Sequence, residues 1–181
     1  MPRSSLQNFR SPLALLRFFG ICALGLILDL WTKRLAELHL QTTGRTIRFI
    51  PGWLHFEWTT NHGAVFGLGQ GQRWLFIAVS VGAILFLTYL FAVSGRQPLY
   101  QIILGMLLAG VLGNMYDRII FGYVRDMIHA LPRWPKLFPW IFNVADSLLC
   151  VGVFLMIVYS LWHGHEKRPE MEPHRACGRQ G

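Results

Sequence analysis

Residues Trp74 to Val93 read WLFIAVSVGAILFLTYLFAV, twenty consecutive positions without a charge. An α-helix rises about 1.5 Å per residue, so a run of this length crosses the roughly 30 Å hydrocarbon core of a bilayer. Three further apolar runs, Leu13 to Trp31, Leu99 to Tyr116 and Trp140 to Trp162, have a similar reach but carry polar residues. The expected fold is therefore an all-α membrane protein of four transmembrane helices. The composition agrees: 53% of residues are hydrophobic and only 14% charged, where a soluble domain carries about a quarter charged. A soluble enzyme, a disordered chain and a collagen-like repeat are excluded. The net charge of +8 suits anionic lipid headgroups; with no basic helix or recognition motif, nucleic acid is not an expected partner. Cys22, Cys150 and Cys177 are too scattered to imply a disulfide framework or a metal site, and no cofactor is implied.

The first span is expected to remain as a helix rather than be cleaved as a leader. Arg17 lies inside the apolar run, Asp29 and Lys33 follow it at once, and no small-residue cleavage site closes it. Four spans put both termini on one side. The termini and the Ser94 to Pro98 loop hold seven Lys or Arg in about 36 residues, against nine in about 65 for the long loops and their flanks. By the positive-inside rule the termini are cytoplasmic. Trp31, Trp74, Trp134, Trp140 and Trp162 stand near span ends, as interfacial anchors do.

Between the first two spans, TIRFIPGWLHFEW joins β-branched and aromatic residues around a Pro-Gly turn. Leu54, Phe56 and Trp58 would share one face of a strand and His55 and Glu57 the other. A small extracytoplasmic β-strand element over about 45–66 is expected, lying on the membrane surface. Residues 1–162 then make one membrane domain, and the polar tail 163–181 is expected to be mobile and cytoplasmic. On the third span Gly105, Ala109 and Gly113 fall every four residues, a small-residue stripe that predicts close helix packing.

The informative feature is where the polar residues fall. Asp29, Asn61, Asn114, Asp117, Arg118, Asp126, Asn143 and Asp146 all lie at or just beyond the same ends of their spans. An intramembrane carboxylate costs about 2.5–3.5 kcal/mol on insertion scales, so it normally faces a partner or a polar cavity. One polar site at one interface accounts for them together. Asp29 with Lys33, and Asn114 with Arg118, are spaced i, i+4 and can satisfy one another; the simplest role for these pairs, and for Asp117 beside Arg118, is structural. Asp146, about two turns into its apolar run, has no basic residue at i±3 or i±4, and Asp126 in GYVRDMI has only Arg125 beside it. If the fold joins these two carboxyls, their repulsion splits their titration so that the pair holds one proton near neutral pH. Such a pair hydrolyses a peptide bond: one member takes a proton from the attacking water while the other donates a hydrogen bond to the carbonyl oxygen. The alternative is a small four-helix proton-coupled transporter using Asp146, but transporters place the key carboxylate near mid-membrane and show repeat symmetry. A membrane scaffold with self-paired charges is the structural reading.

Four blocks then stand out: Asp29-Leu-Trp-Thr-Lys33, Asn61-His-Gly-Ala-Val-Phe66, Gly113-Asn-Met-Tyr-Asp-Arg118 followed by Gly122-Tyr-Val-Arg-Asp126, and Phe142-Asn-Val-Ala-Asp-Ser147. In order and against four spans, they resemble the lipoprotein signal peptidase (signal peptidase II) family from the first span to the fourth. The resemblance implies an aspartic endopeptidase of the bacterial inner membrane that cuts prolipoproteins just before the diacylglyceryl-modified cysteine, with termini in the cytoplasm and the site near the outer face. It implies Asp126 and Asp146 as the catalytic pair. Asn61, Gly63, Asn114, Arg118, Asn143 and Ala145 would line the site, and Asp29 and Lys33 would support it from the first helix. The implied partners are a lipidated prolipoprotein and the phospholipid bilayer; no oligomeric state follows. Two departures are visible. His62 stands where a small hydroxyl or an aromatic residue is common, and Arg125 and Met127 flank Asp126 where apolar or aromatic neighbours are usual. Arg125 would lower the Asp126 pKa if the side chains met.

Overall fold

The polar ends of the spans and their surroundings are seen directly in the computed structural model, which describes residues 9, 11–63, 69–136 and 140–165. Ala64 to Phe66 of the second motif, Cys177 and the tail from 166 onward lie outside the described residues. Four helices are long and apolar enough to cross a membrane. They are α1 (Pro12–Gln41), α2 (Arg73–Val93), α3 (Pro98–Ile120) and α4 (Val144–His165).

Helix α1 starts at Ser11, whose Oγ accepts the Ala14 N–H at 3.4 Å, with Pro12 at the first helical position. Two turns, Leu16–Gly20 and Glu37–Gln41, are wound as π-helix. The helix continues well past Trp31, the end of the apolar run, because Ala36 and Leu40 extend the apolar stripe by i, i+4 and are buried against Met127. Helix α3 is the central element. Phe18, Cys22, Leu87, Phe91, Ile103, Leu104 and Leu108 form the core between α1, α2 and α3, with the Phe18 and Phe91 rings stacked at 4.2 Å.

The expected small-residue stripe does bring helices close. A Cβ added at Gly105 would meet the Phe18 carbonyl of α1 at 2.5 Å, and one added at Gly25 of α1 would meet the Ala109 Cβ at 2.8 Å; Gly110, one position off the stripe, packs as closely on α4, where an added Cβ would meet the Ala145 carbonyl at 2.6 Å. Large apolar side chains such as Leu24, Ile27, Leu85, Phe86, Phe154, Ile157 and Leu161 point outward. A soluble surface does not carry this density, whereas a lipid-facing one requires it.

The β-strand element is larger than the sequence implied. Four antiparallel strands in the order β1-β2-β3-β4 make one sheet: β1 (Ile47–Ile50), β2 (Leu54–Asn61), β3 (Val124–Ala130) and β4 (Ile141–Phe142). The expected β1–β2 pair is present, with Ile47 opposite Phe56. The addition is β3, which pairs with β2 from Leu54↔Ala130 to Asn61↔Val124. Gly122, at φ +85°, makes the turn from the end of α3 into β3. Asp126 therefore sits on a strand rather than in a loop. The fourth helix also begins later than the apolar run: Ile141 and Phe142 pair with β3, and the helix starts at Val144.

Candidate active site

Asp146 lies in the first turn of α4, not two turns deep. Asn143 caps that helix. Its Oδ1 accepts the Asp146 N–H at 2.9 Å, while the Asp146 carboxylate accepts the Asn143 N–H at 3.3 Å, a reciprocal capping box with Asp in the acidic position. The next orphan N–H of this helix end, that of Ala145, donates to Asp29 Oδ1 of α1 at 2.8 Å. Ala145 is fully buried against Gly113, where a larger residue on either helix would push α3 and α4 apart.

The Asn143 side-chain amide turns the other way, toward the sheet. Its Nδ2 donates to Asp126 Oδ1 at 2.6 Å, within 3.4 Å of the Arg125 carbonyl and 3.2 Å from Asn114 Oδ1. One residue thus joins both carboxyls. Asn114 supplies the second link, donating to Asp146 Oδ1 at 2.8 Å, and Asn61 Nδ2 reaches Asp126 Oδ2 at 3.2 Å. Asn61 Oδ1 also accepts the Gly63 N–H at 3.0 Å, and Gly63 presents its carbonyl to Arg118 Nη2 at 3.0 Å. Arg118 rests over the Phe76 ring at 4.9 Å. Asp126 is buried, while Asp146, Asn61 and Arg118 are only half-buried.

The Asp126 pKa is raised from 3.8 to about 7, chiefly by burial and then by the Asp146 charge, against the hydrogen bonds from Asn143 and Asn61 and the Lys33 charge, which oppose the shift. The Arg125 guanidinium does not contact the Asp126 carboxyl. Neighbours on a strand project to opposite faces, and the guanidinium turns to Asp117, with Nη2 at 2.7 Å and Nε at 3.1 Å from Oδ1. Asp117 Oδ2 in turn lies 3.2 Å from Lys33 Nζ, which sits 2.8 Å from Asp29 Oδ2 and 3.2 Å from Asn114 Oδ1. The expected Asp29–Lys33 pair exists, but it is fully buried rather than reaching for the interface. Buried ions of this kind are sustained by multiple hydrogen bonds. Asp117 has the structural role expected of it, although its partners are Arg125 and Lys33 rather than Arg118. Glu37, 3.4 Å from Arg125 Nη1, joins the network unforeseen by residue spacing; its only signal in the sequence is the continuation of the α1 stripe beyond Trp31. His62 is exposed, its ring 5.4 Å from that of Tyr123 and outside this network.

Comparison with known families is decisive. The family described as signal peptidase (SPase) II matches residues 21–162. The chain belongs to the signal peptidase II family. Lipoprotein signal peptidases similar to it include that of Chlorobium phaeobacteroides (strain BS1), 36% identical over 151 residues that cover 78% of this chain and 94% of the relative. That of Alteromonas mediterranea is 32% identical over 163 residues, 86% of each chain. Among solved structures, a bacterial membrane enzyme determined by the in meso method at 2.3 Å resolution superposes with a TM-score of 0.72 at 32% identity, covering 83% of this chain and 90% of that one. A second, at 1.9 Å resolution, gives 0.66 at 30% identity and covers 78% and 90%. The signal peptidase II match spans all four motif blocks, and these relatives give no support to the transporter alternative.

Proposed function

We propose that this member of the family is an aspartic endopeptidase that removes the signal peptide of prolipoproteins by cutting before the diacylglyceryl-cysteine, with Asp126 and Asp146 as the catalytic pair. The observation that carries the reading is Asn143, hydrogen-bonded through its amide to Asp126 and through its backbone to Asp146, which holds the two carboxyls on either side of one residue. Asp126, protonated below about pH 7, hydrogen-bonds the scissile carbonyl oxygen. Asp146, on the more open side, takes a proton from water as its oxygen attacks the carbonyl carbon. The tetrahedral intermediate then collapses: the proton passes to the leaving nitrogen, the C–N bond breaks, and the dyad returns to its singly protonated state. Asn61, Gly63, Asn114 and Arg118 line the approach and are suited to hold an extended substrate backbone, Gly63 through its carbonyl and Arg118 through its guanidinium.

A substrate helix anchored in lipid presents its cut site near the headgroups, which is the depth at which the helix ends gather these groups. On this reading residues 1–162 are one domain in the bacterial inner membrane, the termini are cytoplasmic and the site opens near the outer face. The lipidated cysteine's acyl chains stay in the bilayer while only the scissile bond enters the polar cleft. The test is cleavage of a diacylated precursor in detergent by Asp126→Asn and Asp146→Asn. Both should lose activity by several orders of magnitude while remaining folded; a variant cutting at a rate comparable to the parent would refute the assignment. Equal cleavage of the unmodified precursor by the parent would remove lipid recognition from the function but leave proteolysis.

A further inference from the structure

Arg125 is almost wholly buried, at 4% exposure, in a membrane protein's polar end. A buried guanidinium needs a reason. Its side chain is gripped on three sides: Asp117 Oδ1 at 2.7 Å and 3.1 Å, Glu37 Oε2 at 3.4 Å, and the Phe121 ring at 4.3 Å from Cζ. Its backbone is gripped as well. Asp117 Oδ2 accepts the Arg125 N–H at 2.9 Å, and the Arg125 carbonyl lies 3.4 Å from Asn143 Nδ2, the atom that also donates to Asp126. The peptide units entering and leaving this residue are therefore both tied down, one to α3 and one to the α4 cap. Asp126 is the next residue and projects to the opposite face of the strand.

Resting on the dyad reading above, we propose that Arg125 is a positioning residue, whose clamp by Asp117 and Glu37 fixes the strand pleat that aims Asp126 and balances the buried charge of Asp117 behind the dyad. The charges that act on Asp126 are Asp146 from α4, Arg118 from α3 and Lys33 from α1, with Asn61 of β2 and Asn143 as neutral donors; Asp117 from α3 and Asp29 and Glu37 from α1 stand behind them, around Lys33 and Arg125. Of the cations, Lys33 already serves Asp29 and Asp117 together. Without Arg125, Asp117 has only that shared ammonium and the site becomes more negative. Loosened geometry lowers turnover, and the added negative field lets Asp126 keep its proton to higher pH.

Arg125→Met keeps the aliphatic stem and removes the fork and the charge; Arg125→Lys keeps the charge without the fork. The experiment measures kcat, KM and the pH profile for a diacylated precursor in detergent. Arg125→Met should lose about tenfold to a hundredfold in kcat, change KM by less than about threefold, and move the alkaline limb upward in pH. Arg125→Lys should return the limb to its original place while recovering only part of kcat. If Arg125→Met does not fold, Glu37→Gln supplies the test: it lies outside the dyad, loosens the same guanidinium, and should lower kcat by a few-fold at unchanged KM. Parental kcat and pH profile in Arg125→Met, or in Glu37→Gln where the former is unfolded, would overturn the inference. So would loss of stability alone, with unchanged kcat per folded molecule. Failure of the dyad reading is distinguished by Asp126→Asn, which must be inactive whatever Arg125 does.

Discussion

Asn143 has the densest set of roles at the scale of single residues, since it caps α4 and donates to Asp126 with different atoms. Asn143→Ala should lower stability by about 1 kcal/mol through the lost cap and suppress cleavage more severely, measured by thermal unfolding in detergent alongside precursor cleavage. Asn143→Asp is the sharper probe: the cap oxygen survives, the donor is lost and a third carboxyl enters the site, so the protein should fold and not cut. The pH dependence also belongs to one residue. The Asp126 pKa is raised from 3.8 to about 7, so the folded state holds this proton more tightly than the unfolded chain. The associated stability is complete below about pH 4 and is lost as pH rises through about 7. Cleavage should fall over the same alkaline range, and a profile still rising above pH 8 would contradict the role of Asp126 as the protonated member. Asp126 and Asp146 stand out in the sequence as candidates because neither has a convincing local partner. Arg125 was visible only as a departure, since spacing along a chain does not tell which face of a strand a side chain takes.

At the scale of elements, α3 works by close approach. Gly110 leaves room for the Ala145 carbonyl and Leu149, with an added Cβ only 2.6 Å from each. Gly110→Leu should force α4 outward, cost about 1–3 kcal/mol and separate Asn114 from Asp146, abolishing cleavage. Gly82→Ala on α2 is the control, because nothing lies within 4 Å of its added Cβ; its melting temperature in detergent should match or exceed the parent's. The stripe of Gly105, Ala109 and Gly113 announced the close approach of α1, because periodicity is a local property of the sequence, whereas Gly110, off the stripe, gave no such signal. The sheet was half legible for the same reason. The β1–β2 hairpin is local, whereas β2 meets β3 across a gap from Asn61 to Val124 that contains two helices, and nothing in either segment specifies that pairing alone.

At the scale of the whole molecule, the four helices and the sheet divide the chain into a lipid-facing barrel of apolar surface and one polar end. The opposite end is lightly built: Arg17 reaches Gln101 at 3.5 Å, and Gln101 closes on the Gly95 carbonyl at 2.8 Å. With the three native cysteines replaced, Thr43→Cys beside the sheet should react with a membrane-impermeant thiol reagent in intact spheroplasts, and Arg96→Cys in the short loop only after permeabilisation. The reverse pattern would invert the proposed orientation.

The sequence by itself determined the four spans, the end at which polar residues gather and the pair of aspartates with no local counter-charge, since hydrophobic length and residue spacing act along the chain. Tertiary structure decided that Asp126 rides on a strand, that Asp146 opens a helix instead of lying within it, and that Asp29, Lys33, Asp117 and Arg125 form one buried chain of charge that ends at the half-buried Glu37. Those contacts join residues as much as 88 positions apart. Their partners become known only when the helices have packed and the third strand has found the second.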